Sequence, residues 1–315
     1  MSADSRQRPT LGAWDWVSVG TSDLRAALGF WTEWLGFDCL EHLDGDDPVL
    51  RAHWGITDQR IVSQAMVRAS GAGVAGVHLI ELDPPRDSVR GGAQVFDLCP
   101  KNLDIYVDDL PRRMRELKSR GAVFRNADYS EAESPDGVRF REIHLPAHDD
   151  LNIVLLQILG SVERFPESGF RGIGPLISIV RDQQAERQFY RDVIGLSLTH
   201  DNVLEGPEIE RMIGLPAGSS LEVSIWAQPG QSLGEIELVT YRGVSGNDLF
   251  AKAVPGARGV TQLNWRVSSC DAWRCWLDHQ GIAYRESKIA ARLIRSAEVL
   301  VLQSPAGLRI ELHAD

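Results

Sequence analysis

Internal repetition constrains the fold of this 315-residue sequence more than any other feature. In segments 16–37 and 175–196, an Asp is followed by an aromatic pair 7 residues later and by a Gly 13 residues later. Segments 102–121 and 262–281 each place a Gly 14 residues after the Val that ends a strand-like run. Matched spacing of this kind predicts four copies of one structural module.

Each copy has the pattern of a strand, a helix and three further strands. Asp23 suits a helix N-cap, and Gly36 suits the left-handed residue that often ends a helix. Asp182 and Gly195 repeat this arrangement. Alternating residues predict middle strands at 60–67, 138–145, 221–227 and 298–302, and closing strands at 78–82, 152–156, 235–238 and 309–312. The sequence therefore predicts four βαβββ modules.

The spacing between copies also predicts how the modules are grouped. Closing strands recur 156 residues apart in the two halves of the chain, and opening strands 159 or 160 residues apart. Between the halves, segment 158–172 contains Gly160, Pro166 and Gly169, which is the composition of a linker. We expect two domains, residues 1–160 and 161–315, each closing one cup from its own two modules. Segments 13–157 and 174–313 would then superpose.

The composition is that of a globular protein and argues against several function classes. A net charge of −11 without clusters of Lys or Arg argues against a nucleic-acid partner. No apolar run approaches the roughly 20 residues of a membrane helix, and the polar start 1–10 lacks the apolar stretch of a signal peptide. We therefore expect a cytoplasmic protein without a membrane partner. The four cysteines form no CxxC pair and are interpreted as reduced thiols.

These motifs together resemble the vicinal oxygen chelate superfamily, which includes glyoxalases, bleomycin-resistance proteins and extradiol dioxygenases. The resemblance rests on the opening strands, the Asp caps, the aromatic pairs beginning at Phe30 and Phe189, the Gly turns and the Ile-Glu-Leu closing strands. It implies an α+β fold in which four βαβββ modules pair into two cup-shaped mixed-sheet domains with helices on the outer faces. It also implies a small-molecule substrate or ligand, and leaves open a monomer or a homodimer.

The resemblance also implies where a metal would bind, because the superfamily takes ligands from the start of each opening strand and the Glu of each closing strand. The corresponding residues are Trp16, Glu81, Asn102 and Leu155 in the first half, and Pro175, Glu237, Gln262 and Glu311 in the second. None is a histidine, which argues against the iron site of an extradiol dioxygenase. Glu237, Gln262 and Glu311 form an all-oxygen set that suits a divalent metal such as Mg²⁺ or Mn²⁺. Alternatively, these carboxylates only make hydrogen bonds in a polar cup.

Strand alternation predicts which other side chains share the second-half cup with these residues. The cup-facing set adds Asn264, Arg266, Glu235, Arg309 and His313. The two arginines either clamp an anionic ligand or pair with the glutamates, and His313 is either a ligand or base or an exposed terminal residue.

The same alternation applied to the first half places Trp16, Glu81, Leu155, Asn102, Asp104 and Tyr106 on one cup face. Trp16 there either stacks on a planar ligand or fills the core. The histidines outside these strands are interpreted as surface or hydrogen-bonded loop residues; they are His42, His53, His144 and His148.

The residues favour an enzyme of the lyase, isomerase or epimerase type. Glu237 or Glu311 would remove a proton next to a carbonyl group, and Arg266 or an oxygen-ligated metal would stabilise the enolate. One alternative is a metal-free protein that sequesters a planar hydrophobic molecule, as bleomycin-resistance proteins do. A divergent extradiol-type dioxygenase is the other. The polar second-half cup favours the enzyme, whereas the loss of every ligand histidine favours the binding protein.

Overall fold

The computed structural model describes residues 8–314 and contains the four predicted βαβββ modules. The strands of the first two modules are β1 (Trp16–Thr21), β2 (Phe37–Asp44), β3 (Arg60–Ala69), β4 (Gly76–Asp83), β5 (Cys99–Val107), β6 (Ser130–Glu133), β7 (Arg139–Pro146) and β8 (Asn152–Ile158). Those of the last two are β9 (Phe170–Ile179), β10 (Ser197–Glu205), β11 (Ser220–Ala227), β12 (Glu235–Arg242), β13 (Gly259–Arg266), β14 (Arg285–Ser287), β15 (Glu298–Gln303) and β16 (Arg309–Ala314). The predicted middle and closing strands are confirmed.

One helix follows the opening strand of each module, and modules 1 and 3 carry a second, short helix after their second strand. The helices are α1 (Leu24–Gly29), α2 (Pro48–Trp54), α3 (Leu110–Ser119), α4 (Gln183–Gln188), α5 (Pro207–Ile213) and α6 (Cys270–Gln280). Segments Phe30–Trp34 and Phe189–Ile194 continue α1 and α4 as π-helical turns. The short helices α2 and α5 were not predicted from the sequence.

The predicted capping residues begin and end these helices. The Asp23 carboxylate accepts a hydrogen bond from the backbone N–H of Ala26 at 2.9 Å, and Asp182 accepts one from Ala185 at 3.0 Å. Each bond satisfies a backbone donor that the first helical turn would leave unpaired. At the C-terminal end, Gly195 has φ = 93°, a conformation that costs a residue with a Cβ free energy.

The strands form two eight-stranded mixed sheets, and each sheet combines modules from both halves of the chain. The first has the order β14-β15-β16-β13-β1-β4-β3-β2, and the second has the order β10-β11-β12-β9-β5-β8-β7-β6. The outer-module cup is therefore built from β1–β4 and β13–β16, and the inner-module cup from β5–β12. The expectation that domains 1–160 and 161–315 each close their own cup is wrong. Repeat spacing identifies equivalent modules but carries no information about which opening strands pair across a sheet.

Opening strands join the modules at the centre of each sheet. In the outer-module cup, β1 pairs antiparallel with β13, with Trp16 opposite Asn264 and Ser18 opposite Gln262. In the inner-module cup, β5 pairs antiparallel with β9, with Asn102 opposite Ile177. Within a module, the closing strand lies parallel to the opening strand. Polar side chains from two modules therefore meet on one concave face.

The main hydrophobic core lies on the helix side of the sheets. Val17, Leu263 and Trp265 pack there with Trp31 of the first module and Trp273 of α6, all fully buried. Each fully buried Leu- or Ile-sized side chain contributes roughly 1.5–3 kcal/mol. The opposite faces of these strands are therefore free to carry polar groups.

No helix within residues 8–314 is long and apolar enough to cross a membrane. The greater part of the polar start 1–10, on which the expectation about a signal peptide rests, lies outside the described residues.

Candidate functional site

The outer-module cup is filled by side chains. Helix α2 and segment 289–294 lie over its concave face and bury Leu50, Trp54 and Ile294 against the sheet. Trp16 is 2% exposed within this cluster, where its ring centroid lies 4.8 Å from that of His313. Trp16 thus fills the core here, which was one of the two interpretations of this residue. The predicted second-half site is accordingly covered by the first module.

Glu311 is the centre of a buried ionic cluster in this cup. Its carboxylate accepts hydrogen bonds from Arg309, at 2.6 Å, and from His53 Nε2, at 3.0 Å, and lies 3.2 Å from His313 Nε2. Burial alone would raise the pKa of Glu311, but the hydrogen bonds of His313 and His53 and the charge of Arg309 hold it well below its usual value. An ionised carboxylate that is already engaged by three side chains is a poor candidate for a base.

The remaining predicted residues of the second-half cup lie beside this cluster. The Gln262 amide donates to Asn264 at 2.9 Å, and the Asn264 amide donates to Ser18 Oγ at 3.2 Å. The Arg266 guanidinium lies 5.5 Å from the ring centroid of Trp16, in a cation–π contact. His313 is buried, not an exposed terminal residue. The structure therefore brings together six of the predicted residues: Gln262, Asn264, Arg266, Arg309, Glu311 and His313.

Glu237 is separated from this group because it lies on β12 in the other sheet. The proposed metal set of Glu237, Gln262 and Glu311 therefore cannot surround one ion. Glu81 is also displaced, since its carboxylate accepts from the backbone N–H of Leu24 at the start of α1 and so faces the helix. Within residues 8–314, no group of three or more His, Cys, Asp or Glu is arranged to hold a metal ion. These side chains do not fit the metal that the fold implies.

The inner-module cup, in contrast, contains an open cavity of ≈ 170 Å³. Apolar side chains form most of its wall, and they are Val138, Phe140, Leu156, Ile158, Ile177, Leu204, Met212, Ile213, Leu221, Val223, Ile225 and Val239. The polar side chains that line it are Lys101, Asn102, Asp104, Tyr106, Ser134, Glu142, His144, His200, Asn202, Glu235, Glu237 and Tyr241. An apolar wall with a few converging polar groups is typical of small-molecule sites.

One end of this polar surface is cationic. Lys101 is 1% exposed, donates to the Tyr241 hydroxyl at 3.0 Å, and lies 5.5 Å from the centroid of that ring. Burial, with smaller effects from the charges of Arg90 and Arg125, lowers the pKa of Lys101 to about 7. Burial, followed by the charge of Glu237, also raises the pKa of Tyr241 well above its usual value, so the phenol stays protonated.

The other end of the polar surface is acidic, and neighbouring groups do not fully compensate the charge of its carboxylates. Burial, followed by the charge of Glu237, raises the pKa of Asp104 well above its usual value. Burial and the charges of Glu142 and Glu235 raise the pKa of Glu237 in the same direction. Within the part of the chain that the structure describes, the buried Oδ1 of Asp104 makes no hydrogen bond. At least one of these two carboxyl groups is therefore expected to be protonated.

Tyr106 positions Glu235, the third carboxyl group at the acidic end. Its hydroxyl donates to Glu235 Oε2 at 3.1 Å, and its ring lies over Gly174 of the facing strand. A Cβ at position 174 would lie 2.5 Å from the ring of Tyr106, so glycine permits this close approach.

His144 completes the polar surface through a buried amide pair. The Asn152 side-chain amide donates to His144 Nδ1 at 2.9 Å and to Asn102 Oδ1 at 2.9 Å. The Nδ1 atom is therefore the acceptor, which places the proton on Nε2, 3.2 Å from Glu142. Burial lowers the pKa of His144, so the ring is neutral. Histidine 144 is a cavity residue on β7, not the surface or loop residue expected from the sequence.

Sequence reasoning missed four polar groups of this cavity, namely Lys101, Glu142, His144 and Tyr241. Tyr241 lies on the same face of β12 as Glu237, which was predicted to face a cup, and Glu142 and His144 alternate on β7, inside the predicted middle strand 138–145. Extending the alternation along those strands would have found them. Leu155, which was predicted to face a cup, instead lies in the helix-side core, because the cavity-facing residue of β8 is Leu156.

Comparisons with known proteins were made for the whole chain. The sequence matches no protein-family model and no curated protein. In structure it is similar to glyoxalase I from Zea mays, with 12% identity over 96% of this chain and 92% of that one and a TM-score of 0.63. It is also similar to a putative dioxygenase from Bacillus subtilis, with 12% identity over 98% of this chain and 86% of that one and a TM-score of 0.61. Identities this low establish the fold alone. The chain thus shares the tandem βαβββ fold of these glyoxalase and dioxygenase structures, and this is the fold that its sequence motifs predict.

Proposed function

We propose that this chain is an enzyme of the lyase or isomerase type that acts on a small organic molecule in the inner-module cup. The observation that carries the proposal is the cavity itself, whose apolar wall surrounds Asp104 and Glu237 on one side and Lys101 on the other. Buried carboxyl groups without full compensation cost folding free energy, so their presence in an open cavity favours a working role. This site replaces the second-half cup expected from the sequence.

The acid and base roles follow from the carboxyl pair. When one member of the Asp104–Glu237 pair is ionised, its charge favours the protonated form of the other. The ionised member would remove a proton from the carbon next to a carbonyl group, and the protonated member would return one elsewhere on the molecule. The cationic end at Lys101 would stabilise negative charge that develops on the carbonyl oxygen. All of these proton transfers use side chains of the inner-module cup, and none requires a metal ion.

Hydrogen exchange at carbon tests this function without knowledge of the natural substrate. The protein would be incubated in D₂O with a panel of small carbonyl compounds, including phenylacetaldehyde, and loss of the C–H signal next to the carbonyl followed by proton NMR. We expect catalysed exchange, and a loss of roughly 10²–10⁴-fold in Glu237→Gln. Glu131→Gln is the matched control, because Glu131 pairs with Arg139 and Arg141 away from the cavity. Equal rates in the two variants would contradict the proposal.

A metal-free binding protein is the second candidate, and the apolar wall of the cavity favours it. Under this alternative, panel compounds would raise the melting temperature but show no exchange at carbon. A divergent extradiol-type dioxygenase has less support, because the described side chains offer no three-ligand set of the kind that iron needs.

A further inference from the structure

The chain makes unusual use of lysine. Its sequence contains 29 arginines but only four lysines, Lys101, Lys118, Lys252 and Lys288. The last three are exposed, whereas Lys101 is buried at the polar end of the inner-module cavity. A chain in which most cations are arginines therefore places its buried lysine where the primary amine faces the inner-module cavity.

Lys101 also lacks the partner that a buried lysine ordinarily has. Fully buried lysines are rare unless they are paired with a carboxylate. Among residues 8–314, no carboxylate forms an ion pair with Lys101, whose polar contact is the Tyr241 hydroxyl. Because burial lowers the pKa of Lys101 to about 7, the neutral amine is present beside the ammonium form at neutral pH, and a neutral amine in an apolar pocket is a nucleophile.

From this placement we propose that Lys101 forms an imine with the carbonyl carbon of an aldehyde or ketone ligand in the inner-module cavity. The inference deepens the proposed function, on which it rests, because it names carbonyl compounds as the substrate class and gives Lys101 a covalent role.

The step balances without any further reactant. The Nζ lone pair adds to the carbonyl carbon while the C=O π pair moves to oxygen, which takes up a proton. Nitrogen loses one proton, oxygen gains a second one and leaves as water with the C–O electron pair, and the C=N bond forms, so that amine, carbonyl and one proton give a protonated imine and water. A protonated member of the Asp104–Glu237 pair is suited to supply the proton that oxygen needs.

The imine also explains why carboxyl groups and an amine share one cavity. A protonated imine withdraws electrons from the adjacent carbon more strongly than the parent carbonyl does. When the ionised carboxylate removes the proton from that carbon, the C–H electron pair forms a C=C bond and the C=N π pair moves onto nitrogen, which gives a neutral enamine. The carboxyl end and Lys101 then act in succession on one molecule.

Reductive trapping tests this proposal on the whole chain. Phenylacetaldehyde and sodium cyanoborohydride would be added at pH values from 5 to 9, and modified lysines identified by peptide mass spectrometry. At pH 7 we expect Lys101 to be trapped at least ~10-fold faster than Lys118, Lys252 or Lys288, because an ordinary lysine amine is protonated at that pH. Lys101→Met should lose the fast reaction, and Lys101→Arg, which keeps the charge, should lose it as well. Circular dichroism would show that both variants are folded.

The outcomes separate the imine from the proposed function. If wild-type Lys101 is trapped no faster than the exposed lysines while exchange at carbon proceeds and depends on Glu237, the imine is wrong and the acid–base function survives. If Lys101 is trapped selectively but no exchange occurs, the imine stands and the acid–base function fails. Absence of both would overturn both.

Discussion

The ammonium nitrogen of Lys101 lies 3.0 Å from the phenolic oxygen of Tyr241, and the two residues belong to different modules. Lys101 is on β5 of module 2, and Tyr241 is on β12 of module 3. The polar end of the cavity therefore exists only when these two modules share a sheet. Module pairing is thus the structural basis of the candidate site, and it couples the chemistry of the cavity to the fold.

Replacing Tyr241 by Phe should shift the reactivity of Lys101 to lower pH. The hydroxyl accepts a hydrogen bond from the ammonium group and so favours the charged form. Burial already lowers the pKa of Lys101 to about 7. Without the hydroxyl, nothing on the Tyr241 side favours the charged form, so we expect the pKa to fall below this value. The measurement is the pH midpoint of reductive trapping at Lys101. A midpoint that moves upward would show that the phenol instead donates to the neutral amine.

Glu237→Gln should make the stability of the protein less dependent on pH. Burial raises the pKa of Glu237, so the folded state holds a proton that the unfolded state has lost. Its contribution to stability is therefore complete below pH 4.5 and is lost as the pH rises through the folded-state pKa. Relative to wild type, the variant should gain at least ~2 °C in melting temperature between pH 5 and pH 9.

Thermal melts of both proteins at four pH values in this range would check the Glu237 prediction. Glu131→Gln is again the control, because hydrogen bonds from Arg141 and Arg139 lower the pKa of Glu131 and place its titration below this window. A constant difference between Glu237→Gln and wild type at all four values would show that Glu237 is ionised throughout.

Glu311→Gln should destabilise the protein while leaving the inner-module cavity intact. The substitution leaves Arg309, His53 and His313 around a neutral amide in a fully buried site. Removing one partner of a buried ionic cluster typically costs about 3–5 kcal/mol. Urea denaturation would measure the loss, and trapping at Lys101 would serve as the control for the cavity. An unchanged midpoint together with altered ligand binding would return the outer-module cup to candidacy as the site.

The sequence predicts the local structure well because local rules determine it. Asp23 and Asp182 cap helices through bonds that span three residues, and strand alternation correctly placed Gln262, Asn264 and Glu311 on a concave face. The pairing of modules is not determined by local rules. Strand β1 could pair with either β5 or β13 and would bury the same apolar face against the helices in both cases. Nothing within a single module distinguishes these partners.

The candidate site was predicted only in part for the same reason. Glu237 was identified but was grouped with Gln262 and Glu311, which the cross-chain pairing places in the other sheet. The filling of the outer-module cup also depends on α2, which was not predicted from the sequence and which begins with Asp47 as its N-cap and Pro48 in its first turn. A partner module and a covering helix are long-range features, and residue patterns within one strand do not specify them.

The last prediction concerns which pieces of the chain fold alone. Modules 2 and 3 are consecutive, so fragment 95–250 contains every strand of the inner-module cup. Fragment 1–160 is of nearly equal length, but it would leave β1 without β13 and β5 without β9. Two apolar central strands would then become unpaired sheet edges, which favours aggregation.

We therefore expect fragment 95–250 to unfold cooperatively on heating and to retain selective trapping at Lys101, and fragment 1–160 to be insoluble or to lack a cooperative transition. Co-expression of 1–160 with 161–315 should restore both missing pairings, and the two pieces should purify as a 1:1 complex. Cooperative unfolding of 1–160 by itself would mean that modules 1 and 2 can close their own cup. Failure of 95–250 to fold would instead show that the inner-module cup needs contacts from the outer modules, such as the hydrogen bond from Trp14 Nε1 to the backbone oxygen of Glu235 at 2.8 Å.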